Sequence, residues 1–350
     1  MKTKFYFLPI LLLGGLSLFA ACSDDDDENG GGDENGGGQP SAPVIGSGDT
    51  NSGARLTSIS NGWGETMYFQ YNEDGTVQRI SERRSGEVYD WIAMTYNPFR
   101  METGELGELK NTSFNQNGYL THFKAEGIYS DEEDDYWEKS KGDCSYSYNG
   151  NGNLTKVVTS YSFNGVDNGE NYSGHGTRTA TYNWSEGNLT RLEIVHNGVE
   201  NGETWNEIET FDFEYTDEIN KYKQYVIGLN EIDVFYEDML APVGWLGKWT
   251  KNYPASFVYK SIEEAPDGKY EDTYTGSWSN FSTTSDGLLS GFNYNKRNTN
   301  GERYTYTYDN IAPTAKKAAA KQMLENNASS PRTKKMSRRH LRHAKMHNRK

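Results

Sequence analysis

The chain has little cysteine, little histidine and few aliphatic residues. Its 350 residues include two cysteines and six histidines, and three of those histidines fall within the last eleven residues. Two cysteines exclude a disulfide framework and a thiolate metal cluster, and the sequence predicts no metal site, no cofactor and no catalytic residue. Hydrophobic residues make up 34% of the chain, against about 45–50% in an average globular domain. We therefore expect one or two light domains with modest cores.

Aromatic residues are abundant by contrast, and in several stretches they alternate with polar ones. The 25 tyrosines, 14 phenylalanines and 8 tryptophans raise the aromatic share to 13%. Residues 211–215 and 304–308 place an aromatic side chain at every second position. This period puts the aromatic residues on one face of a β-strand and Thr, Asp or Glu on the other.

A hairpin motif recurs along the body of the chain. An aromatic residue precedes a polar turn with glycine, and the turn glycines stand at positions 75, 118, 152 and 187. We predict type I′ turns at pairs such as Asn117-Gly118, Asn164-Gly165 and Asn197-Gly198, because Asn and Gly tolerate the positive φ of that turn. The sequence thus predicts an all-β domain over residues 51–311, an antiparallel meander of about a dozen or more strands that forms a curved half-barrel or barrel-like sheet.

One segment, residues 235–254, lacks the alternation. It contains two prolines and a dense group of apolar side chains. We predict a short helical or coiled insertion that plugs the concave side of the sheet. The plug residues are Leu240, Val243, Trp245, Leu246 and Trp249. The alternative is an exposed loop that contacts a membrane or a partner.

The amino terminus predicts a lipoprotein signal peptide over residues 1–21. A basic start precedes an apolar run, and Ala20-Ala21 directly before Cys22 resembles the lipobox of bacterial lipoproteins. We expect Cys22 to carry acyl chains such as palmitate and to hold the protein on a membrane, the alternative being an ordinary secretory signal. Residues 22–50 are rich in Gly, Asp and Asn and are predicted to be a disordered acidic tether.

An acidic run directly behind the cysteine resembles the signal that moves some lipoproteins of Gram-negative bacteria to the cell surface. We therefore expect a protein anchored by lipid in the outer membrane and displayed outside the cell. A solvated spacer that faces the periplasm is the alternative.

The carboxy-terminal residues 312–350 carry the opposite charge. From Lys316 onward twelve lysines and arginines stand against Glu325 alone, although the whole chain has a net charge of -15. We predict a short helix over 315–325 followed by a basic tail, which we interpret as a disordered solubilising end or an extension outside the native domain. The alternative is an electrostatic contact with an anionic partner, such as lipopolysaccharide, nucleic acid or the acidic body. The chain has no recognisable nucleic-acid module, so we expect no specific nucleic-acid binding.

Three features together resemble a known family: the lipidated start, the Tyr-Asn-x-x-Gly-x-Leu-Thr hairpins and the segment 244–254. They are similar to an uncharacterised bacterial lipoprotein family described as having a porin-like fold, over roughly residues 55–310. The hairpins also resemble YD-repeats. The family resemblance implies a fold and no activity. A bilayer-spanning strand needs an aliphatic outer face, whereas these strands present Tyr, Thr, Asn and Glu, so we expect a water-facing sheet rather than a pore.

Tryptophans near the predicted strands are the candidate ligand-binding residues, because an indole stacks on sugar rings and holds protein partners. They are Trp63, Trp91, Trp137, Trp184, Trp205 and Trp278. The predicted function is that of a non-enzymatic surface lipoprotein that binds a polysaccharide or an envelope protein. The alternatives are a structural spacer and an envelope hydrolase with a glycosidase-like carboxylate pair. Candidates for that pair are Glu207, Glu209, Asp212 and Glu214.

Replacing Cys22 with alanine tests the anchor. We expect the variant to lose incorporation of labelled palmitate and to move from the membrane fraction to the soluble fraction of a lysate, since each buried CH2 of an acyl chain contributes about 0.8 kcal/mol to membrane binding. Cys144→Ala, which changes the only other cysteine, is the matched control and keeps the label. A Cys22→Ala protein that stays labelled and membrane-bound contradicts the prediction.

Overall fold

The computed structural model describes the part of the chain that lies between the two charged ends. It covers residues 54–73, 76–84, 86–96, 99–103, 107–131, 136–167, 169–229, 237–266, 268–297 and 301–310. The predicted signal peptide, Cys22, the tether, and the helix and tail of residues 312–350 lie outside these residues.

The described residues form sixteen β-strands and one short helix. The strands are β1 (Ala54–Ser60), β2 (Thr66–Tyr71), β3 (Val77–Arg84), β4 (Glu87–Thr95), β5 (Arg100–Thr103), β6 (Gly107–Phe114), β7 (Leu120–Asp131), β8 (Tyr136–Tyr148), β9 (Leu154–Asp167), β10 (Glu170–Ser185), β11 (Asn188–Glu200), β12 (Glu203–Ile219), β13 (Asn252–Ala265), β14 (Gly268–Thr283), β15 (Leu289–Lys296) and β16 (Glu302–Asn310). The helix α1 covers Glu237–Leu240. In the described part of the chain, no helix combines the length and the apolar content that crossing a bilayer requires.

The sixteen strands form one closed antiparallel barrel in which each strand pairs with its neighbours in sequence. β1 closes the ring by pairing with β16, from Ala54 opposite Asn310 to Ser60 opposite Thr305. Closure satisfies the backbone groups that the edges of an open meander expose. The antiparallel all-β fold predicted from the sequence is confirmed, and of the two shapes that the sequence left open, the structure adopts the closed one.

The turns that connect the strands lie at the two ends of the barrel. Because neighbouring strands run in opposite directions, the turns after odd-numbered strands lie at one end, which we call the rim end, and those after even-numbered strands lie at the other, which we call the plug end. The recurrent turns with Gly118, Gly152 and Gly187 follow β6, β8 and β10, so they all lie at the plug end. The first and last described residues, Ala54 and Asn310, lie there as well.

Asparagine side chains cap the recurrent turns of the plug end. In the turn between β6 and β7, Oδ1 of Asn115 accepts hydrogen bonds from the backbone N–H groups of Asn117 and Tyr119, at 2.9 and 3.1 Å. Asn149 makes the equivalent pair of bonds after β8. Gly118 has a φ of 77°, whereas Asn117 keeps a negative φ. Asn117-Gly118 therefore closes a longer capped loop and not the predicted two-residue type I′ turn, which needs positive φ at both residues.

Two other predicted turns lie inside strands. Asn164-Gly165 belongs to β9 and Asn197-Gly198 to β11. Gly198 is needed in its strand because the ring of Trp205 lies over it, and a Cβ there would stand 2.8 Å from that ring. The type I′ turn of this hairpin is Asn201-Gly202, where φ is 51° and 85°. The predicted turn chemistry is right, and its position is wrong by four residues.

The insertion between β12 and β13 fills the barrel at the plug end. A barrel of about sixteen strands is too wide to be filled by the side chains of its own wall. The described residues 220–229 and 237–251, which we call the plug segment, occupy the space. Leu240, Val243, Trp245 and Leu246 have no exposed surface and Trp249 retains 2%. Apolar side chains from the inner faces of most strands pack around them and form one continuous core.

The plug segment is bound to the capped turns by backbone hydrogen bonds. The N–H of Leu120 donates to the carbonyl oxygen of Trp245 at 2.8 Å, and the N–H of Lys248 donates to that of Gly152 at the same distance. The Trp245 ring also meets Phe114 edge-on, with ring centroids 4.9 Å apart. The recurrent turns thus hold the plug segment in one orientation.

Truncating Trp245 to alanine tests how much stability the plug segment contributes. We expect the free energy of unfolding to fall by about 3–5 kcal/mol, as for other buried large-to-small changes. Trp63→Ala removes the same side chain from a position that is 71% exposed, and we expect a change within about 0.5 kcal/mol. Denaturant unfolding followed by far-UV circular dichroism measures both. Equal effects of the two variants contradict the packing role of Trp245.

Candidate functional site

The rim half of the barrel interior contains a row of polar residues. Thr159, Arg178, His196, Glu207 and Glu263 stand opposite one another on the five adjacent strands β9 to β13. Their side chains point inward because each lies an even number of positions from a buried apolar residue of its own strand. We call these five residues the polar row.

The polar row lies directly on the dry core. One layer closer to the plug end, Val157, Ala180 and Ile194 are fully buried, and Glu209 faces Ile194 in the same layer. The charged groups therefore meet an apolar floor, where water screens them poorly. Polar groups at such a position reduce the stability of the folded protein unless they bind one another or a ligand.

His196, Glu207 and Glu209 bring three metal-ligating groups together. Nδ1 of His196 lies 3.6 Å from a carboxylate oxygen of Glu207, and both side chains are about nine-tenths buried. One donor atom from each of the three residues lies within 4.8 Å of the other two. The Trp205 ring lies next to the imidazole, at a centroid distance of 6.0 Å.

Two buried donors lie beside these groups. Arg178 is 8% exposed, and its Nε–H has no hydrogen-bond partner among the described residues. The hydroxyl of Tyr161, a residue that is 1% exposed, has none among them either. Burial, reinforced by the charge of Glu200, raises the pKa of Tyr161 far above its ordinary value, so the hydroxyl keeps its proton. An unsatisfied buried donor costs about 1–3 kcal/mol, which a ligand that accepts the hydrogen bond would recover.

Glycines in the wall shape this half of the interior. A Cβ on Gly174 would meet the Phe163 ring at 2.2 Å, and one on Gly176 would meet the Tyr161 hydroxyl at 3.0 Å. The rings of Tyr161 and Phe163 stack with centroids 5.9 Å apart and form a small aromatic cluster separate from the main core. Larger residues at Gly174 and Gly176 would push these rings away from the wall.

A second candidate surface lies on the outside of β6 to β10. It is a depression of about 480 Å³. Several of the side chains around it point outward, because they alternate along their strands with buried neighbours. They include Lys110, Lys124, Glu126, Lys141, Asp143 and His175. We call it the lysine groove. The pairing of β6 with β7 is irregular after Lys110, where Asn111 adopts a φ of 56°.

Ion pairs organise the lysine groove. Asp143 contacts Lys124 Nζ at 2.9 Å and His122 Nε2 at 2.8 Å, and Glu126 contacts Lys139 Nζ at 3.1 Å. Partial burial acts to raise the pKa of Asp143, but the hydrogen bonds from Lys124 and His122 outweigh it and hold that pKa below its ordinary value. Hydrogen bonds from Lys139 and Lys141 lower the pKa of Glu126 in the same way.

The candidate tryptophans do not share one exposed face. Trp63 is 71% exposed in the turn after β1, and Trp137 is 40% exposed on the outer side of β8. Six strands lie between β1 and β8 in a ring of sixteen, so these two indoles lie on opposite sides of the barrel. Trp91 lies in β4, and its side chain is outside the described part of the structure.

The other three tryptophans point into the barrel. Trp184 donates its Nε1–H to the carbonyl oxygen of Leu154 at 2.7 Å, and Trp278 donates to that of Ile227 at 2.8 Å. Trp205 lies beside the polar row. The five tryptophans whose side chains are described therefore do not form one exposed face on which a sugar could stack.

The four candidate carboxylates separate into two pairs. Glu207 and Glu209 point into the barrel, whereas Asp212 and Glu214 point outward because odd and even positions of β12 face opposite sides. Asp212 forms an ion pair with Arg191 at 2.9 Å. Glu214 accepts a hydrogen bond from a serine hydroxyl of β13.

His196 and Arg178 were missed in the sequence, and the misplaced turn explains why His196 was missed. A turn at Asn197-Gly198 would place His196 beside the turn with no partner on β12. The actual turn pairs Glu200 with Glu203 and, four positions further along, His196 with Glu207. The Asn201-Gly202 pair is the feature of the sequence that could have identified this contact, because a hairpin that turns there brings His196 opposite Glu207.

Two solved structures are similar to this chain, and both are described as porin-like, the fold description that the sequence resemblance implies. One is a protein from Bacteroides vulgatus ATCC 8482, with 14% identity and a TM-score of 0.44 over 73% of this chain and 99% of that one. The other is from Bacteroides uniformis ATCC 8492, with 15% identity and a TM-score of 0.43 over 77% and 100%. No protein-family model and no curated protein matches the sequence. These likenesses concern the fold and say nothing about a ligand.

Asp143→Asn tests the electrostatics of the lysine groove. A carboxyl whose pKa is lowered in the folded state stabilises the protein above its unfolded pKa, and this stability is lost as the pH falls through the folded pKa. We expect the variant to lose about 0.5–1 kcal/mol at pH 7, as for a partly exposed ion pair. The difference should begin to shrink as the pH approaches the ordinary value of 3.8 and should disappear only below the lowered pKa of the folded state. Denaturant unfolding over a pH series from 7 down to about 2 measures it, and a difference that does not shrink along the series contradicts the assignment.

Proposed function

We propose that this protein is a lipid-anchored outer-membrane protein of a Gram-negative bacterium that binds an anionic polysaccharide outside the cell and catalyses no reaction. The observation that carries the proposal is the lysine groove on a chain with a net charge of -15. Lys110, Lys124 and Lys141 line the groove against Glu126 and Asp143, so this part of the wall has a net positive charge on an otherwise acidic molecule. A net positive charge favours an anionic ligand.

The position of the chain ends indicates which end of the barrel would be attached to the membrane. Ala54 and Asn310 pair with each other at the plug end, so the acidic tether behind Cys22 joins the barrel there. An acylated Cys22 would attach the plug end to the membrane through the tether and leave the rim end without an attachment. The lysine groove, which lies on the side wall, then remains accessible to a polymer.

The chemistry of the outer wall supports a barrel surrounded by water. Lys124 and Lys141 project outward from the middle of β7 and β8, Arg191 projects outward from β11, and acidic residues project beside them. A lysine or arginine that faces lipid at the midplane costs about 2–4 kcal/mol. Most of the large apolar residues of the described strands are buried on the inner face, many of them against the plug segment, which is the reverse of a water-filled pore.

The dimensions of the lysine groove suit a few sugar units. Its volume of about 480 Å³ falls in the usual range for ligand pockets, roughly 300–1,000 Å³. Carboxylate or sulfate groups of the polymer would replace Glu126 and Asp143 as partners of the lysines. This exchange costs little, because exposed ion pairs contribute only about 0–1 kcal/mol.

The rival hypothesis of a glycosidase is less well supported by the geometry. Glu207 and Glu209 share the interior of the barrel, and each has a carboxylate oxygen within 4.8 Å of the other. Retaining glycosidases hold their carboxyl groups about 5–5.5 Å apart and inverting ones about 6.5–9.5 Å apart. Glu207 also lies against His196. Because an imidazole joins the two carboxylates, the donor set suits chelation of a cation better than general acid–base catalysis on a sugar.

A comparison of paired lysine variants tests the polysaccharide proposal. Lys124→Gln with Lys141→Gln should weaken binding to polygalacturonate at low salt by at least about tenfold, since two charge-assisted contacts are lost. Lys260→Gln with Lys269→Gln removes two exposed lysines of β13 and β14 and should leave binding unchanged. Isothermal titration calorimetry on the full chain measures both variants, and neutral dextran should not bind.

The basic tail is the same in both variants, so their difference reports on the lysine groove alone. Equal affinities of the two variants place polymer binding elsewhere and contradict the proposal. Binding of an envelope protein without any binding of anionic polymer contradicts it as well.

A further inference from the structure

We propose that His196, Glu207 and Glu209 form a binding site for a divalent metal ion of the zinc class inside the barrel. This site is independent of the lysine groove, which lies on the outer wall. It differs from the expectation drawn from the sequence, which includes no metal site. Its ligand set is one imidazole nitrogen and two carboxylate oxygens.

The distances between the donor atoms carry the inference. Zinc bonds to nitrogen and oxygen of about 2.0–2.1 Å in a tetrahedron place neighbouring donor atoms about 3.4 Å apart. Nδ1 of His196 and a carboxylate oxygen of Glu207 are already 3.6 Å apart. The third donor, from Glu209, lies within 4.8 Å of both. The glutamate side chain can rotate about its χ angles to close that gap without movement of the backbone.

The β11–β12 hairpin makes the arrangement rigid. His196 and Glu207 are directly opposite in the register, and Glu209 is two residues further along β12 on the same face. Directly opposite side chains in an antiparallel pair have Cβ atoms about 4.5–5.5 Å apart, and diagonal neighbours are also within reach of long side chains. Three ligands held by two paired strands lose little entropy when they bind an ion.

The charges around the three ligands favour a dication with one position left open. Glu207, Glu209 and Glu263, which is opposite Glu207 in the register, contribute three negative charges inside the barrel, and Arg178, opposite His196, contributes one positive charge. A divalent ion therefore makes the group neutral, and a water molecule can occupy the fourth position. The buried Nε–H of Arg178, with no hydrogen-bond partner among the described residues, supplies a donor next to that position.

The type of the ligands indicates which ions bind. Imidazole combined with carboxylates suits zinc and neighbouring transition metals. Calcium and magnesium prefer sites made entirely of oxygen ligands, with six or more of them for calcium. We therefore expect binding of Zn²⁺, with Co²⁺ as a spectroscopic substitute, and weak binding of Ca²⁺ at this site.

The experiment must separate this site from the histidines of the tail. The full chain with His340, His343 and His347 all replaced by alanine is the reference protein, because these residues offer zinc ligands of their own. Calorimetric titration of the reference protein with ZnCl2 should give one site per chain. Glu207→Gln and His196→Ala in this background should weaken that site by at least about 100-fold, since changes of outer-shell partners alone cost about 10–100-fold in affinity.

Two controls make the result decisive. His175→Ala removes an exposed histidine of β10, and Asp212→Asn removes an outward carboxylate of β12; both should leave Zn²⁺ affinity unchanged. Far-UV circular dichroism establishes that each variant is folded, and Glu209→Gln replaces His196→Ala if the latter does not fold. Co²⁺ added to the reference protein should give the visible absorption of a four-coordinate site, which Glu207→Gln should abolish.

The proposal fails if the reference protein binds no Zn²⁺. It also fails if Glu207→Gln and Glu209→Gln bind the ion as tightly as the reference protein does. A loss of affinity in His175→Ala as large as that in Glu207→Gln would place the metal on the outer wall and overturn the assignment.

Discussion

The width of a closed ring of sixteen strands is the constraint on which the rest of this structure depends. Such a ring encloses more space than its own side chains fill, so the chain supplies the plug segment between β12 and β13. Trp245 and Trp249 are the largest side chains of that filling and are almost completely buried. Because the capped turns after β6 and β8 hydrogen-bond to the plug segment, one end of the barrel becomes a dry core. The opposite half, which the segment does not fill, is where polar side chains can face inward.

The two-residue period of the strands then decides the place of each charged group. On β12, Glu207 and Glu209 enter the barrel while Asp212 and Glu214 meet solvent, although all four belong to one strand. On β7 and β8, the outward positions bring Lys124 and Asp143 together on the wall. The protein thus carries two chemically different surfaces within a few strands of each other. The inner one combines an imidazole, three carboxylates and a guanidinium, and the outer one combines lysines with two carboxylates.

Glycine has two separate roles in this barrel. At the turns it accepts positive φ, as at Gly202. Inside the strands it leaves room for aromatic rings to lie flat against the wall, as at Gly198 under Trp205 and Gly174 under Phe163. The same dipeptide, Asn-Gly, serves both roles at positions 197–198 and 201–202. Local turn chemistry is identical at the two sites, so only the packing of the neighbouring strand distinguishes them.

The sequence by itself determined the class of the fold, the antiparallel order and the position of the insertion. Alternation of residues 211–215, glycine turns and the apolar run 240–249 are local signals, and each acts through the backbone of a few neighbouring residues. Closure of the ring through β1 and β16 and the burial of the plug segment inside it were decided by the tertiary structure. The tertiary structure also decided that His196 lies opposite Glu207, because strand register depends on which turn closes the hairpin. A shift of four residues in that turn changes every cross-strand neighbour, and the packing of the whole barrel selects one of the possible turns.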